Sequence, residues 1–76
     1  MFTQREIDTH GLSLKAAEEL FYSTLNEVRL KKTELEVTFI TGVGRIQSRF
    51  KELSQEHDLN HYVPMNNRGC IVVEFE

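Results

Sequence analysis

Apolar residues recur along this chain in two rhythms, and the switches between them mark its elements. Thr3-Gln4-Arg5-Glu6-Ile7-Asp8 reads as a short first strand, with Ile7 facing one side and Gln4, Glu6 and Asp8 the other. From Ser13, a good N-cap, the period lengthens. Leu14, Ala17, Phe21, Leu25 and Val28 recur at spacings of three and four, with Leu20 widening the stripe, so a long amphipathic helix is predicted. Lys15, Glu18, Glu19, Asn26 and Glu27 take its solvent face, while Arg29, Lys31 and Lys32 suit its negative C-terminal end. Leu35–Ile40 alternates again and carries β-branched and aromatic residues, as a strand does.

Thr41-Gly42-Val43-Gly44 makes a glycine-rich turn, and a second helix is predicted from about Arg45 to His57, burying Ile46, Phe50 and Leu53. Asp58-Leu59-Asn60 ends it. His61–Met65 reads as a weak strand, because Pro64 has no N–H for a ladder. Asn66-Asn67-Arg68-Gly69 is a turn, and residues 70–76 form a clear last strand. The order β-α-β-α-β-β predicts one α+β domain over residues 1–76, a two-layer α/β sandwich. Its first two strands are parallel through a right-handed crossover, and its last two form a hairpin in a four-stranded mixed sheet. Ile7, Val37, Phe39, Ile71, Val73 and Phe75 collect on one sheet face, which both helices are expected to cover. Glu6, Asp8, Glu36 and Thr38, with Val72, collect on the other, which should be acidic and partly wet.

Composition narrows the class of protein. With 76 residues, 39% hydrophobic and 28% charged, the chain suits a small soluble module with a single core. No apolar run is long enough to span a membrane, and no basic-then-apolar leader is visible. The single Cys70 opens an apolar strand and is expected to be a buried, inert thiol, which fits a reducing cytoplasm. Twelve acids against nine Lys and Arg leave a net charge of −3, which argues against binding nucleic acid through bulk charge. A polyanion would need a local basic patch, or a longer parent chain that supplies further affinity.

Candidate chemistry converges on one rim. If the first two strands are parallel neighbours, Asp8 and His10 end up beside Thr41-Gly42-Val43-Gly44, and both helices begin there. Imidazole ordinarily titrates near pH ~6.5 and suits general acid or base work. Asp8 is placed to orient that ring. Glycines admit close backbone approach, and helix-start N–H groups bind phosphate. Arg45 and Arg49, one helical turn apart, add positive charge, although such a pair is by default a solvated helix face. Asp-x-His before glycine reads equally well as a turn in which Asp8 caps backbone amides. His57 and His61 read as structural or exposed, and Tyr22 and Tyr62 do not form an aromatic platform. The Gly-x-Gly turn is no dinucleotide fingerprint, since Gln47 stands where its third glycine belongs.

Ile7-Asp8-Thr9-His10-Gly11-Leu12 resembles the Leu-Asp-x-His-Gly signature of Smr (small MutS-related) domains. Thr41-Gly42-Val43-Gly44 is similar to that family's Thr/His-Gly-x-Gly motif, and Arg68–Val73 to its closing Gly-small-x-x-Val strand. Two departures stand out. Val43 occupies a position that is often basic in the family, and Arg45-Ile46 enters the helix without the usual polar, glycine-rich extension. The resemblance implies a β-α-β-α-β-β fold and an endonuclease that nicks DNA or cuts RNA, including messenger RNA on stalled ribosomes. It implies Asp8 and His10 as the catalytic pair and Gly42 and Gly44 as the phosphate cradle.

The resulting expectation is an endonuclease acting on RNA rather than DNA. Asp8 and His10 are catalytic, and Thr41, Gly42, Gly44, Arg45, Arg49 and Arg68 hold the phosphate backbone. No resident metal or other cofactor is required, with a divalent ion at Asp8 as the variant mechanism. Partners are nucleic acid and, through it, the ribosome, with no membrane. The alternatives are a non-catalytic nucleic-acid or ribosome-binding module using Arg45, Arg49 and Arg68, and a protein-interaction domain using the acidic sheet face.

Overall fold

Three six-residue strands and two amphipathic helical stripes leave the chain one good way to bury its phenylalanines. In the computed structural model, which describes residues 2–76, the elements are β1 (Thr3–Asp8), α1 (Leu14–Lys31), β2 (Leu35–Ile40), α2 (Arg45–Glu56), β3 (His61–Tyr62) and β4 (Cys70–Phe75). The strands form one mixed sheet in the order β1-β2-β4-β3, with β1 parallel to β2 and the other pairings antiparallel. The fold is the expected α+β two-layer sandwich.

The register puts Ile7 beside Phe39, and Phe39 beside Ile71, on the face the helices cover. Phe21 of α1, Phe50 of α2, Phe39 and Phe75 are all fully buried. Their rings meet at 4.6 Å (Phe39–Phe50), 5.0 Å (Phe21–Phe75) and 5.3 Å (Phe21–Phe50), in the tilted and edge-on arrangements aromatic rings prefer. Phe21 touches a ring on the other helix and rings on both central strands, so it joins the two layers. Ser13 starts α1 as expected, its hydroxyl accepting the Ala16 N–H at 3.1 Å.

Local differences from the sequence reading have simple causes. The expected strand from His61 shrinks to His61–Tyr62, because Pro64 cannot donate and Val63 turns to pack against the core. His57 caps α2 instead of belonging to it, and Glu76 lies beyond β4. Glu18 does not face open solvent, since it is half-buried against Arg49 and ties α1 to α2. The uncovered sheet face carries the expected acids, yet Val72 is buried there between Thr38 and Tyr62. On the same face the register sets Glu36 opposite Glu74, a repulsive pairing. Each carboxylate receives a neutral donor, Gln4 Nε2 for Glu36 and Asn60 Nδ2 for Glu74, both at 3.3 Å. No helix among the described residues is long and apolar enough to cross a membrane.

Ser54, fully buried on α2, is the one polar side chain in the core whose Oγ finds no partner among the described residues. A buried hydroxyl without a hydrogen bond costs stability. Ser54→Ala is therefore expected to raise the unfolding free energy by about 1 kcal/mol in chemical denaturation, helped by alanine's helix propensity. A variant less stable than wild type would contradict this picture of the core.

Candidate active site

Parallel pairing of β1 with β2 brings the ends of these strands to the same rim, and the antiparallel β4 begins there, with Ile40 opposite both Asp8 and Cys70. Three loops therefore meet: Thr9–Ser13, Thr41–Gly44 and the turn before β4. Strand alternation continued one step past each strand end points Thr9 and Thr41 inward, like Ile7 and Phe39 before them. Both threonines are buried and need partners. Thr9 donates its N–H (2.8 Å) and its hydroxyl (3.1 Å) to the Ile40 carbonyl. The Gly69 carbonyl accepts the N–H groups of Thr41 (2.9 Å) and Gly42 (2.8 Å), with the Thr41 hydroxyl at 3.3 Å. Gln47, buried on α2, completes the lock by donating Nε2 to the carbonyls of Arg68 (2.8 Å) and Cys70 (3.0 Å).

On this clamped rim, Asp8 and His10 point outward. One carboxylate oxygen of Asp8 accepts the His10 backbone N–H at 3.1 Å and also pairs closely with Nδ1 of the His10 ring. The turn reading of this stretch therefore holds, and the same oxygen that shapes the turn also orients the imidazole. With Nδ1 engaged, Nε2 is the nitrogen left for chemistry. Both side chains are more than half exposed, so solvent reaches the pair freely. The His10 ring, above all, holds the Asp8 carboxyl below its ordinary range. The backbone hydrogen bond and the charge of His10 add to this, and partial burial opposes it.

A groove of about 310 Å³ separates the first two loops, lined by Leu12, Ser13 and Leu14 on one side and by Thr41, Val43, Gly44, Arg45 and Ile46 on the other. Asp8 and His10 are not among its walls. They adjoin it through Gly11 and Leu12. The two helices that begin here differ in one respect. Ser13 caps α1, whereas Gly44 precedes α2 with no side-chain cap, which leaves that helix's opening N–H groups available to an anion. Gly44 has φ 154° and Gly42 has φ 70°, both in the region where glycine is favoured.

The expected phosphate set divides on this geometry. Gly44 and Arg45 line the groove, and neither Arg45 nor Arg68, both exposed, has an acidic partner among the described residues. Gly42 does not offer its N–H, which is bound to Gly69, and its glycine is required by backbone conformation. Thr41 lines the groove, but its hydroxyl is turned to the carbonyls of Gly42 (2.7 Å) and Gly69. Arg49 leaves the set. Glu18 at 2.5 Å, Glu52 at 3.5 Å and Glu56 at 3.8 Å surround its guanidinium, and the Glu18 hydrogen bond raises its pKa above the ordinary arginine value. Thr9 and Gln47 carried no signal as motif residues, although inward strand alternation marks Thr9, and the i, i+3 spacing to Phe50 marks Gln47. His61 turns Nδ1 to the Leu59 carbonyl at 3.0 Å, and His57 packs edge-on against Tyr22. Cys70 is buried, as expected. Among the described residues, no group of three or more His, Cys, Asp or Glu side chains is placed to hold a metal ion.

The depressed Asp8 pKa gives the pair a defined pH window. Its contribution is present above the ordinary carboxylate value of 3.8 and is lost as the pH falls through the lower folded value. A carbon-detected NMR titration is expected to show Asp8 with a midpoint below 3.8, and His10→Ala should move it back toward that value. Equal midpoints in the two proteins would show that the ring does not hold the carboxylate. Compared with protein-family models, with curated proteins and with solved structures, the chain matches none.

Proposed function

We propose that this chain is an Smr-like endonuclease domain that cleaves RNA, with Asp8 and His10 as its catalytic pair. The observation that carries this reading is the pairing of His10 Nδ1 with Asp8, which leaves Nε2 outward beside a groove that ends on the uncapped start of α2. An oriented imidazole that adjoins a groove whose far wall ends in free backbone N–H groups is suited to moving a proton while a phosphoryl oxygen gains charge.

In the proposed step, one phosphodiester lies in the groove with a non-bridging oxygen toward the N–H groups of Arg45 and Ile46, and the Arg45 guanidinium alongside. Nε2 of His10 removes the proton from the neighbouring 2′-hydroxyl. That oxygen attacks phosphorus, the bond to the 5′-oxygen breaks, and the departing oxygen takes a proton from water or from the imidazolium just formed. Asp8 keeps the ring in the tautomer that leaves Nε2 unprotonated and stabilises the imidazolium. The products are a cyclic phosphate and a free 5′-hydroxyl. Water would replace the 2′-hydroxyl as nucleophile on DNA, which makes RNA the favoured substrate. Messenger RNA on the ribosome is one setting in which such a strand is presented, and a reducing cytoplasm suits the buried thiol of Cys70.

Incubation with RNA, with and without chelator, tests the reading. His10→Ala is expected to slow cleavage by roughly 10²- to 10⁴-fold, the usual range for loss of a general base. The ring is exposed, so the fold should survive its removal. Chelator should leave the wild-type rate unchanged and the products cyclic. Undiminished cleavage by His10→Ala would refute the role of the pair. Salt-sensitive binding without scission would instead identify a non-catalytic module that uses Arg45 and Arg68.

A further inference from the structure

The phosphate reading uses only the polar half of the groove. Its other half is apolar and open: Val43 is 80% exposed, and Leu12 is 39% exposed on the facing wall. Val43 sits at the apex of a turn whose ends are fixed, Gly42 by the Gly69 carbonyl and Gly44 by the start of α2. At that exposure it supports no core packing, so the fold itself does not require an apolar, β-branched side chain there. Leu12 stands two residues beyond His10 and Val43 two residues before Arg45, so the groove they line is flanked in sequence by the Asp8–His10 pair on one side and by the opening of α2 on the other.

We infer that the groove takes an unpaired nucleotide, with the phosphate at the opening N–H groups of α2 and Arg45 and the base laid against Leu12 and Val43. This rests on the groove being a phosphate site. The chemistry then selects the form of the strand. In a continuous double helix each base is stacked and paired, and only the backbone and groove edges can reach these side chains. An unstacked base has two apolar faces to offer, and these suit a cleft walled by aliphatic groups. The absence of a directed donor or acceptor on Leu12 or Val43 makes the contact tolerant of base identity. A domain of net charge −3, with acids on its open sheet face, also needs a contact that does not depend on bulk charge. The inferred substrate class is therefore single-stranded nucleic acid, bound with little sequence preference.

Fluorescence anisotropy with a labelled single strand, its duplex and an abasic strand of equal length and charge tests this. The single strand is expected to bind more tightly than either of the others. Val43→Ser and Leu12→Ser should each weaken the single strand by roughly three- to tenfold, as loss of a partly buried aliphatic contact does, and leave the abasic strand unaffected. Val43→Ser is the decisive variant, because so exposed a side chain can be replaced without loss of packing. Arg45→Gln should weaken all three ligands alike. Equal affinity for the single strand and either other ligand would overturn the base contact while the phosphate site stands. Failure to bind any of the three would overturn both the base contact and the phosphate site.

Discussion

Two backbone carbonyls hold the rim of this domain together. The Ile40 carbonyl takes both donors of Thr9, and the Gly69 carbonyl takes the N–H groups of Thr41 and Gly42 and the Thr41 hydroxyl. A buried hydroxyl or N–H left unpaired costs on the order of 1–3 kcal/mol, so these contacts fix where the strands end and where the loops turn. Because Thr9 and Thr41 are drawn inward, their neighbours are turned outward. Asp8 and His10, flanking Thr9, emerge on the solvent side, and Val43 and Gly44 emerge beyond Thr41. Gln47 braces the third loop by the same means, with one amide serving two carbonyls. The outward chemistry is thus a consequence of inward hydrogen bonding.

Electrostatics then separates the molecule into two sides. Glu6, Asp8, Glu36 and Glu74 share the uncovered sheet face, where the two facing glutamates are each moderated by a neutral amide. Arg49 is held by three glutamates and serves the joint between α1 and α2. What remains for an anion is small and local, namely the uncapped start of α2 with Arg45 beside it and Arg68 on the adjoining turn. The proposed phosphate site is compatible with a net acidic chain, because helix-end N–H groups act over one turn and do not depend on overall charge.

Much of this was legible in the residues. Alternation in Leu35–Ile40 and the i, i+3, i+4 stripe from Leu14 to Val28 fixed the layers, because burial of Phe21, Phe39, Phe50 and Phe75 admits little else. Asp8 and His10 at a strand end, near a glycine turn on the neighbouring strand, followed from parallel pairing alone. The roles of Gly42, Thr41 and Arg49 were not legible, since each depends on a partner distant in sequence: Gly69 for the first two, Glu18 for the third. Pattern reading locates polar residues but cannot say which have already found a partner inside the fold. Thr9, the unspecified residue of Asp-x-His, and Gln47, the residue that breaks a dinucleotide motif, both proved to be structural donors for that reason.

Amide spectra of the ¹⁵N-labelled domain, titrated with a 2′-O-methyl oligonucleotide that cannot supply the attacking hydroxyl, address most directly whether the Asp8–His10 pair and the start of α2 form a single site. The amides of Gly44, Arg45 and Ile46 and the ring resonances of His10 should shift together with a common midpoint, while Glu36 and Glu74 on the acidic face stay still. Shifts confined to that sheet face, or a His10 ring that does not respond while α2 titrates, would contradict a shared phosphate site.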